Sequence, residues 1–328
     1  MRAAWITRAG GPEVLEIVDV PRPLPREGEV LVRVHASALN RADLMQREGR
    51  YPAPPGVPAN IPGMEIAGEV AEVGGGVKRW KIGDRVFGIV GGGANAAFVV
   101  TSEQELARIP DRLSWEEAAA IPEAFITAHD ALITQAAMRV GENVLIHAIG
   151  SGVGLAGAQL VRAFKGTCYG TARSADKIAR AKKLGVKDGA VIEDDPTVIS
   201  GFVQAWTGGT GIDVVLDLVG GSYLPASVEC SALRGRIILI GLLAGRAASL
   251  NLGTILARRL TIRGTVMRAR TAREKAAATD AFAQDVLPLL ERGEVRPVID
   301  RVFPLEQIRE AHALMESNET FGKIVLTS

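Results

Sequence analysis

The first third of the chain alternates apolar and polar residues in short runs. Three of these runs have a period of two, which is typical of strands with one buried face, and they cover residues 29–37, 64–74 and 84–90. Glycine-rich turns separate them. Short strands at this spacing predict a small antiparallel barrel or sandwich.

A helical pattern follows at residues 114–137. Ser114 with Glu117 three residues later predicts a capping box at its start. Because a proline inside a helix removes a backbone donor and clashes with the preceding turn, Pro122 predicts two helices here instead of one.

From residue 143 the pattern becomes an alternation of strands and helices. The strand candidates are 143–148, 166–172, 190–192, 213–219, 236–242 and 260–265. Helices are predicted between these strands. One example is 175–185, which is predicted to end at a glycine cap. This alternation indicates a parallel sheet covered on both faces, and six strands match the doubly wound dinucleotide-binding sheet. We therefore predict an α/β fold with a Rossmann domain.

The C-terminal segment does not continue the regular alternation of strands and helices. It predicts an amphipathic helix at about 271–292, an extended stretch at 298–305, a helix at 306–316 and a last strand at 322–327. Because this mixture does not fit a parallel sheet, we expect it to return to the first domain. The predicted domains are 1–122 completed by 268–328, and a Rossmann domain at 123–267.

Composition and charge narrow the class of protein. The net charge of +1 gives no basic surface for nucleic acid, and no apolar run is long enough to cross a membrane. The N-terminus lacks the pattern of a secretion signal. Only Cys168 and Cys230 occur, which excludes a disulfide framework and a four-cysteine zinc lobe. We expect a cytoplasmic protein that acts on small molecules.

A glycine-rich turn follows the first strand of the alternating region. Gly152, Gly154 and Gly157 fit the G-x-G-x-x-G pattern literally, but the strand is predicted to end near Ala148. The phosphate-binding turn is therefore expected at 149–154, with Gly157 inside the helix for close packing. The alternative is a small-residue helix packed on a strand. The predicted contacts of the cofactor phosphates in this turn are Gly150, Ser151, Gly152, Val153 and Gly154.

The end of the next strand indicates which nicotinamide cofactor the turn would hold. An NAD site places a carboxylate there, whereas this chain has Arg173 and Ser174, with Lys177 one turn later. These groups would bind a 2′-phosphate, so they favour NADPH. The alternative is that they are ordinary solvated charges.

Two further segments follow the last two predicted strands. Ligands of open α/β sheets lie at the carboxyl edge of the strands. Backbone contacts to the cofactor are therefore expected at Gly241, Leu242, Val266 and Met267.

Taken together, these segments resemble a known family, the zinc-free quinone oxidoreductases of the medium-chain dehydrogenase/reductase superfamily. It is most similar to the branch that contains zeta-crystallin and the p53-inducible enzymes. The resemblance covers essentially the whole chain and rests on the segments 40–52, 63–74, 81–86, 119–128, 146–154 and 322–326. It implies a GroES-like N-terminal domain, a Rossmann domain, a C-terminal segment that folds back on the first domain, and a homodimer.

The comparison with zinc-containing relatives predicts that no metal is used. Those relatives carry a cysteine within the segment 40–43 and a His-Glu pair where this chain has Met64 and Glu65. An asparagine and a thioether do not replace these zinc ligands.

The resemblance also implies roles for single residues. It places Asn40 and Tyr51 around the acceptor and Thr127 beside the nicotinamide. The structural alternatives are a turn-capping asparagine, a tyrosine wedged in a proline-rich loop and an ordinary helix threonine. Ile192 stands where some relatives have a tyrosine that clamps the 2′-phosphate, which weakens the expectation of NADPH. Glu123 is a feature of the branch for which the sequence suggests no role.

The resulting functional prediction is metal-independent reduction of quinones by NADPH, with the acceptor in the cleft between the domains. A reductase of 2-alkenals, enones or enoyl thioesters is the alternative activity. A non-catalytic, crystallin-like NADPH-binding protein is the alternative of a different class. The homodimer is expected to form through the edge strand at 260–265.

Overall fold

The computed structural model describes all 328 residues of the chain. It divides the chain into two compact units, of which the first comprises Met1–Ile126 and Met267–Ser328 and the second comprises Thr127–Val266. No helix of either unit combines the length and the apolar character that crossing a bilayer demands.

The chain contains fifteen strands, numbered here in chain order. They are β1 (Arg2–Ile6), β2 (Leu15–Asp19), β3 (Glu29–Ala38), β4 (Glu65–Val73), β5 (Arg85–Ile89), β6 (Phe98–Ser102), β7 (Leu106–Arg108), β8 (Asn143–Ile146), β9 (Thr167–Ala172), β10 (Val186–Val191), β11 (Ile212–Asp217), β12 (Ser231–Leu239), β13 (Thr261–Gly264), β14 (Ile299–Pro304) and β15 (Lys323–Thr327).

The chain also contains eleven α-helices. They are α1 (Arg41–Arg47), α2 (Trp115–Ala119), α3 (Thr127–His129), α4 (Gly152–Ala163), α5 (Ala175–Lys182), α6 (Ile199–Thr207), α7 (Tyr223–Cys230), α8 (Leu252–Arg258), α9 (Ala272–Asp285), α10 (Leu287–Arg292) and α11 (Ile308–Ser317). Wider π-type turns cover Pro122–Ile126 and Asp130–Gln135, on either side of α3.

The second unit is built on a six-stranded sheet with the order β10-β9-β8-β11-β12-β13. All neighbouring strands in it are parallel. Its central strands are buried on both faces, since the consecutive residues Val144 and Leu145 on β8, and Val214 and Val215 on β11, point to opposite faces and are all fully buried. The predicted doubly wound α/β fold is confirmed.

The first unit is built on a seven-stranded sheet. The order along it is β14-β15-β3-β4-β5-β7, and β6 pairs with β3. The period-two pattern of β3 buries Val30, Val32 and Val34 in the same core cluster. The last strand, β15, lies between β14 and β3, so the C-terminal segment is an interior part of this sheet.

Some predicted element bounds differ from the observed ones. The predicted single helix at 271–292 was wrong, because the chain forms α9 and α10 with Val286 between them and Pro288 in the first turn of α10. The helix predicted at 175–185 ends earlier, at Lys182. At 114–137, the capping box of Ser114 and Glu117 is present and α2 ends before Pro122, so the break expected there is observed.

Candidate functional site

Glu65 is the centre of a buried polar arrangement in the first unit. Its side chain lies at the start of β4 and is fully buried. Oε1 of Glu65 accepts hydrogen bonds from Nζ of Lys323 at 2.6 Å and from Nδ2 of Asn40 at 2.8 Å. Oε2 accepts the backbone N–H of Glu123 at 2.8 Å. Both oxygens of this carboxylate therefore have partners.

Lys323 begins β15 and is the cation that faces Glu65. Its side chain is buried, and Nζ also donates to the carbonyl oxygen of Leu39 at 2.8 Å and to Oδ1 of Asn40 at 2.7 Å. With the bond to Glu65, all three donors of the ammonium are used. The Glu65–Lys323 ion pair is thus held in one geometry by hydrogen bonds to neutral groups, namely the Asn40 amide and the backbone of Leu39 and Glu123.

Asn40 and Asp43 hold the turn that leads into α1. Oδ2 of Asp43 accepts the backbone N–H of Asn40 at 2.8 Å, and Oδ1 accepts the backbone N–H of Gly63 at 2.9 Å. Burial raises the pKa of Asp43 to about 6, although these two hydrogen bonds oppose the shift. Nδ2 of the Asn40 amide donates to Glu65, and Oδ1 accepts from Lys323, so both ends of the amide already have partners within the chain.

Arg268 lies directly after the second unit in the chain and is almost fully buried. Nε donates to the carbonyl oxygen of Gly91 at 2.8 Å, and Nη2 donates to Oε1 of Gln46 at 2.7 Å. Nη1 is buried without a hydrogen-bond partner. The guanidinium carbon is 5.3 Å from the centroid of the Tyr51 ring. The free donor of Arg268 and the phenol of Tyr51 are therefore neighbours.

Glu123 stands at the start of the helical segment that follows Pro122. Burial, followed by repulsion from the Glu65 carboxylate, raises the pKa of Glu123 to about 7, and Lys323 opposes the shift. Its backbone N–H is bonded to Glu65, but its own carboxyl group accepts or donates no hydrogen bond within the chain. The side chain keeps partial solvent access.

These side chains form one group, called here the polar cluster. Its members are Asn40, Asp43, Tyr51, Glu65, Glu123, Arg268 and Lys323. The sequence pointed to Asn40 and Tyr51 by resemblance and gave no role to the charged members. Glu65 and Lys323 each stand at the first position of a strand, where a charged residue is ordinarily solvated, so no local signal marked them.

The second unit contains the glycine turn. Ser151 caps α4, and its Oγ accepts the backbone N–H of Gly154 at 3.1 Å. A Cβ atom on Gly154 would lie 2.8 Å from the carbonyl oxygen of Ala148, so no larger residue fits there. One on Gly157 would lie 3.0 Å from Cδ1 of Ile146, which agrees with the predicted close packing of the helix on β8.

The residues predicted to select the cofactor follow β9. Arg173 is exposed, and Ser174 caps α5 by accepting the backbone N–H of Lys177 at 3.4 Å. All three lie at the carboxyl end of the strand. Ile192 differs, because its side chain is buried in the core of the unit and its backbone N–H donates to the carbonyl oxygen of Ala172 at 2.8 Å.

The residues predicted after β12 and β13 differ in their burial. Gly241 packs so closely that an added Cβ would lie 2.2 Å from the carbonyl oxygen of Leu218. The side chains of Leu242 and Val266 are exposed. Met267 is buried and belongs to the first unit, apart from the other predicted cofactor contacts.

Two buried polar atoms in the second unit lack partners. One is Oγ1 of Thr127, to which the resemblance gives a role beside the nicotinamide, and the other is Oδ2 of Asp217, for which the sequence suggested no role. Oδ1 of Asp217 accepts the backbone N–H groups of Val219 and Gly220 at 2.9 and 2.8 Å, at the end of β11. Buried polar atoms without partners are costly, so Thr127 and Asp217 are candidates for contact with a ligand or a bound water.

Comparisons with known proteins agree with this architecture. The family model of the alcohol dehydrogenase GroES-like domain matches residues 26–111, and that of the zinc-binding dehydrogenases matches residues 189–326. A quinone oxidoreductase of Pseudomonas aeruginosa is 35% identical over 97% of this chain and 96% of its own length. The chain belongs to the quinone oxidoreductases of the medium-chain dehydrogenase/reductase superfamily.

Solved structures extend the comparison. A mycobacterial protein determined in complex with NADPH has a TM-score of 0.89 and 29% identity, with all of both chains covered. The JamJ enoyl reductase has a TM-score of 0.87 and 27% identity, with 99% of this chain and 98% of that chain covered. The chain is therefore similar over its whole length to oxidoreductases of more than one substrate class.

The polar cluster does not fit the zinc that one of these family models names. Asn40 offers an amide, Met64 offers a thioether, and the Glu65 carboxylate already faces an ammonium at 2.6 Å. No group of three or more His, Cys, Asp or Glu side chains in the chain could hold a metal ion. A second cation beside Lys323 would be repelled, and the amide of Asn40 and the thioether of Met64 are not ligands that Zn²⁺ takes in proteins.

Proposed function

We propose that the protein reduces quinones with NADPH and without a metal. The observation that carries this proposal is that the Lys323 ammonium is the cation paired with Glu65. The Glu65 carboxylate is therefore already neutralised without a metal ion. With no Lewis acid to polarise a carbonyl, an acceptor that needs little activation is favoured. A quinone is such an acceptor, because its reduction makes the ring aromatic. The 35% identity to a quinone oxidoreductase supports the same choice.

The residues of the second unit fit a nicotinamide dinucleotide. The backbone N–H groups of the turn at 149–154 and the start of α4 would hold the pyrophosphate. Arg173, Ser174 and Lys177 would hold the 2′-phosphate of NADPH, and Thr127 would use its unpartnered hydroxyl on the nicotinamide side. When bound, the reduced cofactor supplies a hydride.

The polar cluster fits the oxygen atoms of the acceptor. The free Nη1 of Arg268 and the phenol of Tyr51 are donors that no other residue of the chain uses. A quinone carbonyl that accepts from them gains negative charge as the hydride arrives, and donors positioned beforehand stabilise that charge.

A reductase of 2-alkenals or enoyl thioesters is the second candidate. The likeness to the JamJ enoyl reductase favours it, and so does the presence of acidic groups in the polar cluster, because such a reaction ends with protonation of an enolate. A protein that binds NADPH without turnover is the third possibility.

The test is anaerobic stopped-flow oxidation of NADPH and, separately, NADH with a panel of quinones, 2-alkenals and an enoyl thioester. We expect the largest kcat/KM with NADPH and a quinone. A preference for alkenals or the thioester would replace the proposal with the second candidate. Binding of NADPH without turnover of any acceptor would leave only a binding protein.

A further inference from the structure

The carboxyl groups of Glu65 and Glu123 repel each other but differ in their surroundings. Both oxygens of Glu65 have hydrogen-bond donors from Lys323, Asn40 and the backbone of Glu123. The Glu123 carboxyl has no partner in the chain and keeps partial solvent access. One carboxylate is thus fixed as a charge, and the other is free to exchange a proton.

The charges around Glu123 favour its neutral form. It faces the carboxylates of Glu65 on β4 and Asp43 on α1, and the cations of Lys323 on β15 and of Arg268. Three carboxyl groups therefore share two cations in a buried region. Because like charges this close cannot all remain ionised at no cost, one of the three acids retains its proton most readily.

Glu123 is the member best suited to release that proton near neutral pH. Burial and then Glu65 raise its pKa to about 7. Asp43 has both oxygens engaged by backbone N–H groups and is fully buried. Burial raises the pKa of Tyr51 above its ordinary value near 10, so its phenol is a poor proton donor at pH 7. Proton transfer is most effective when the pKa of the acid lies near the working pH.

We propose that Glu123 is the catalytic proton donor of the reduction and that Lys323, Glu65 and Asn40 position it. When bound, the reduced nicotinamide would supply a hydride, that is, the hydrogen and the electron pair of its C–H bond, so the nicotinamide would be oxidised and the quinone reduced to the level of a hydroquinone anion. The O–H bond of Glu123 breaks, and a new O–H bond forms on the quinone oxygen. The Glu123 carboxylate then takes a proton from water. This assignment rests on the proposed function.

The first experiment compares the wild-type protein with Glu123→Gln, which keeps the size of the side chain. We expect kcat for quinone reduction to fall about 100-fold, in the range typical for loss of a general acid. In the wild type, kcat should decrease as the pH rises through about 7, since the acid must be protonated to act. In Glu123→Gln that decrease should be absent, and Glu123→Asp should restore part of the rate together with the decrease.

A second measurement does not depend on turnover. The infrared band of protonated carboxyl groups, followed against pH in the protein without cofactor, should contain a component that titrates near pH 7. This component should be missing in Glu123→Gln and present in the control Glu27→Gln, which alters an exposed carboxylate.

The outcomes separate this assignment from the proposed function. Quinone reduction at an unchanged rate and pH profile in Glu123→Gln would overturn the assignment alone. A Glu123 carboxyl that titrates near pH 4 in the infrared experiment would overturn it as well. Failure of the wild type to reduce any quinone would overturn the proposed function, and the assignment with it.

Discussion

Nζ of Lys323 lies 2.6 Å from Oε1 of Glu65, and both side chains are buried in the first unit. Removal of one partner leaves the other as an uncompensated buried charge, which costs about 3–5 kcal/mol. We therefore expect Lys323→Met to lower the free energy of unfolding in urea by that amount.

The double variant Lys323→Met, Glu65→Leu should recover much of the loss, because neither charge is then left buried alone. The control is Arg108→Ala, which breaks an exposed pair with Asp111 and should cost less than about 1 kcal/mol. If Lys323→Met and Arg108→Ala lowered the free energy of unfolding by the same amount, this account of the buried pair would be contradicted.

Arg173 is expected to discriminate between the two nicotinamide cofactors. In Arg173→Ala, we expect the Kd for NADPH to rise about 10- to 100-fold, because a charge-assisted hydrogen bond of about 1.5–3 kcal/mol is lost. The Kd for NADH should not change. Isothermal titration with each cofactor gives both values.

Arg180→Ala is the matched control for this prediction. Arg180 lies on α5, the helix that begins two residues after Arg173, and its side chain pairs with Asp176 at 3.6 Å. An equal loss of affinity for NADPH and NADH in Arg173→Ala would show that the residue does not read the 2′-phosphate.

Thr127 should show opposite effects on stability and on cofactor binding. Its buried Oγ1 has no partner, and such a group costs about 1–3 kcal/mol. Thr127→Val should therefore raise the free energy of unfolding of the protein without cofactor, while it weakens NADPH binding several-fold. Urea unfolding and titration calorimetry test the two effects.

Thr171→Val is a control of opposite sign. Oγ1 of Thr171 lies 3.0 Å from Nδ1 of His147, so its loss should lower the free energy of unfolding by about 1 kcal/mol. If Thr127→Val were destabilising to the same extent, the hydroxyl of Thr127 would have a partner in solution.

His312 should make stability depend on pH. Its side chain is fully buried, and Nδ1 lies 3.3 Å from Nη1 of the buried Arg47. Burial, and then Arg47, lower the pKa of His312 to about 3. The unfolded chain binds a proton below about pH 6.5 and the folded chain does not, so this stability is lost as the pH falls from about 6.5 towards 3.

The slope for one such group reaches about 1.4 kcal/mol per pH unit. Between pH 7 and pH 5, the free energy of unfolding in urea should therefore fall by about 2 kcal/mol more in the wild type than in His312→Gln. The raised pKa values of Asp43 and Glu123 act in the opposite direction but are common to both proteins. The same loss in both proteins would contradict the prediction.

An exposed apolar surface on the second unit supports the predicted homodimer. The edge strand β13 has one unpaired side, and α8 buries none of its residues, with Leu252 and Leu256 at 68% and 77% exposed. We expect Leu256→Glu to convert a dimer to a monomer, as measured by light scattering after size exclusion. Leu24→Glu, at a residue 74% exposed on the first unit, is the control and should remain dimeric. A monomeric wild type would exclude this role for the surface.

The sequence predicted the elements whose pattern is local. The period-two runs became β3, β4 and β5, and the strand–helix alternation became the six-stranded sheet. The predicted start of β12, at residue 236, is later than the observed start at Ser231. The consecutive exposed residues Leu233 and Arg234 break the alternation by which a strand is recognised.

The polar cluster was only partly predictable. Asp43, Glu65, Arg268 and Lys323 are single charged residues in four distant segments, and a charged residue is usually solvated. Their burial and pairing depend on which strands meet in the first unit, and no local pattern records that. Glu123 was noticed as a residue of the branch, but its raised pKa comes from burial and then from Glu65, and both depend on the tertiary fold.

The position of β15 has a consequence for biosynthesis. This strand inserts between β14 and β3 and carries Lys323, yet it follows the whole second unit in the chain. As the protein leaves the ribosome, residues 127–266 are complete and able to fold while the first unit still lacks an interior strand and the counter-ion of Glu65. The first unit can therefore complete its sheet, and Glu65 can gain its counter-ion, only after the last residues have been synthesised.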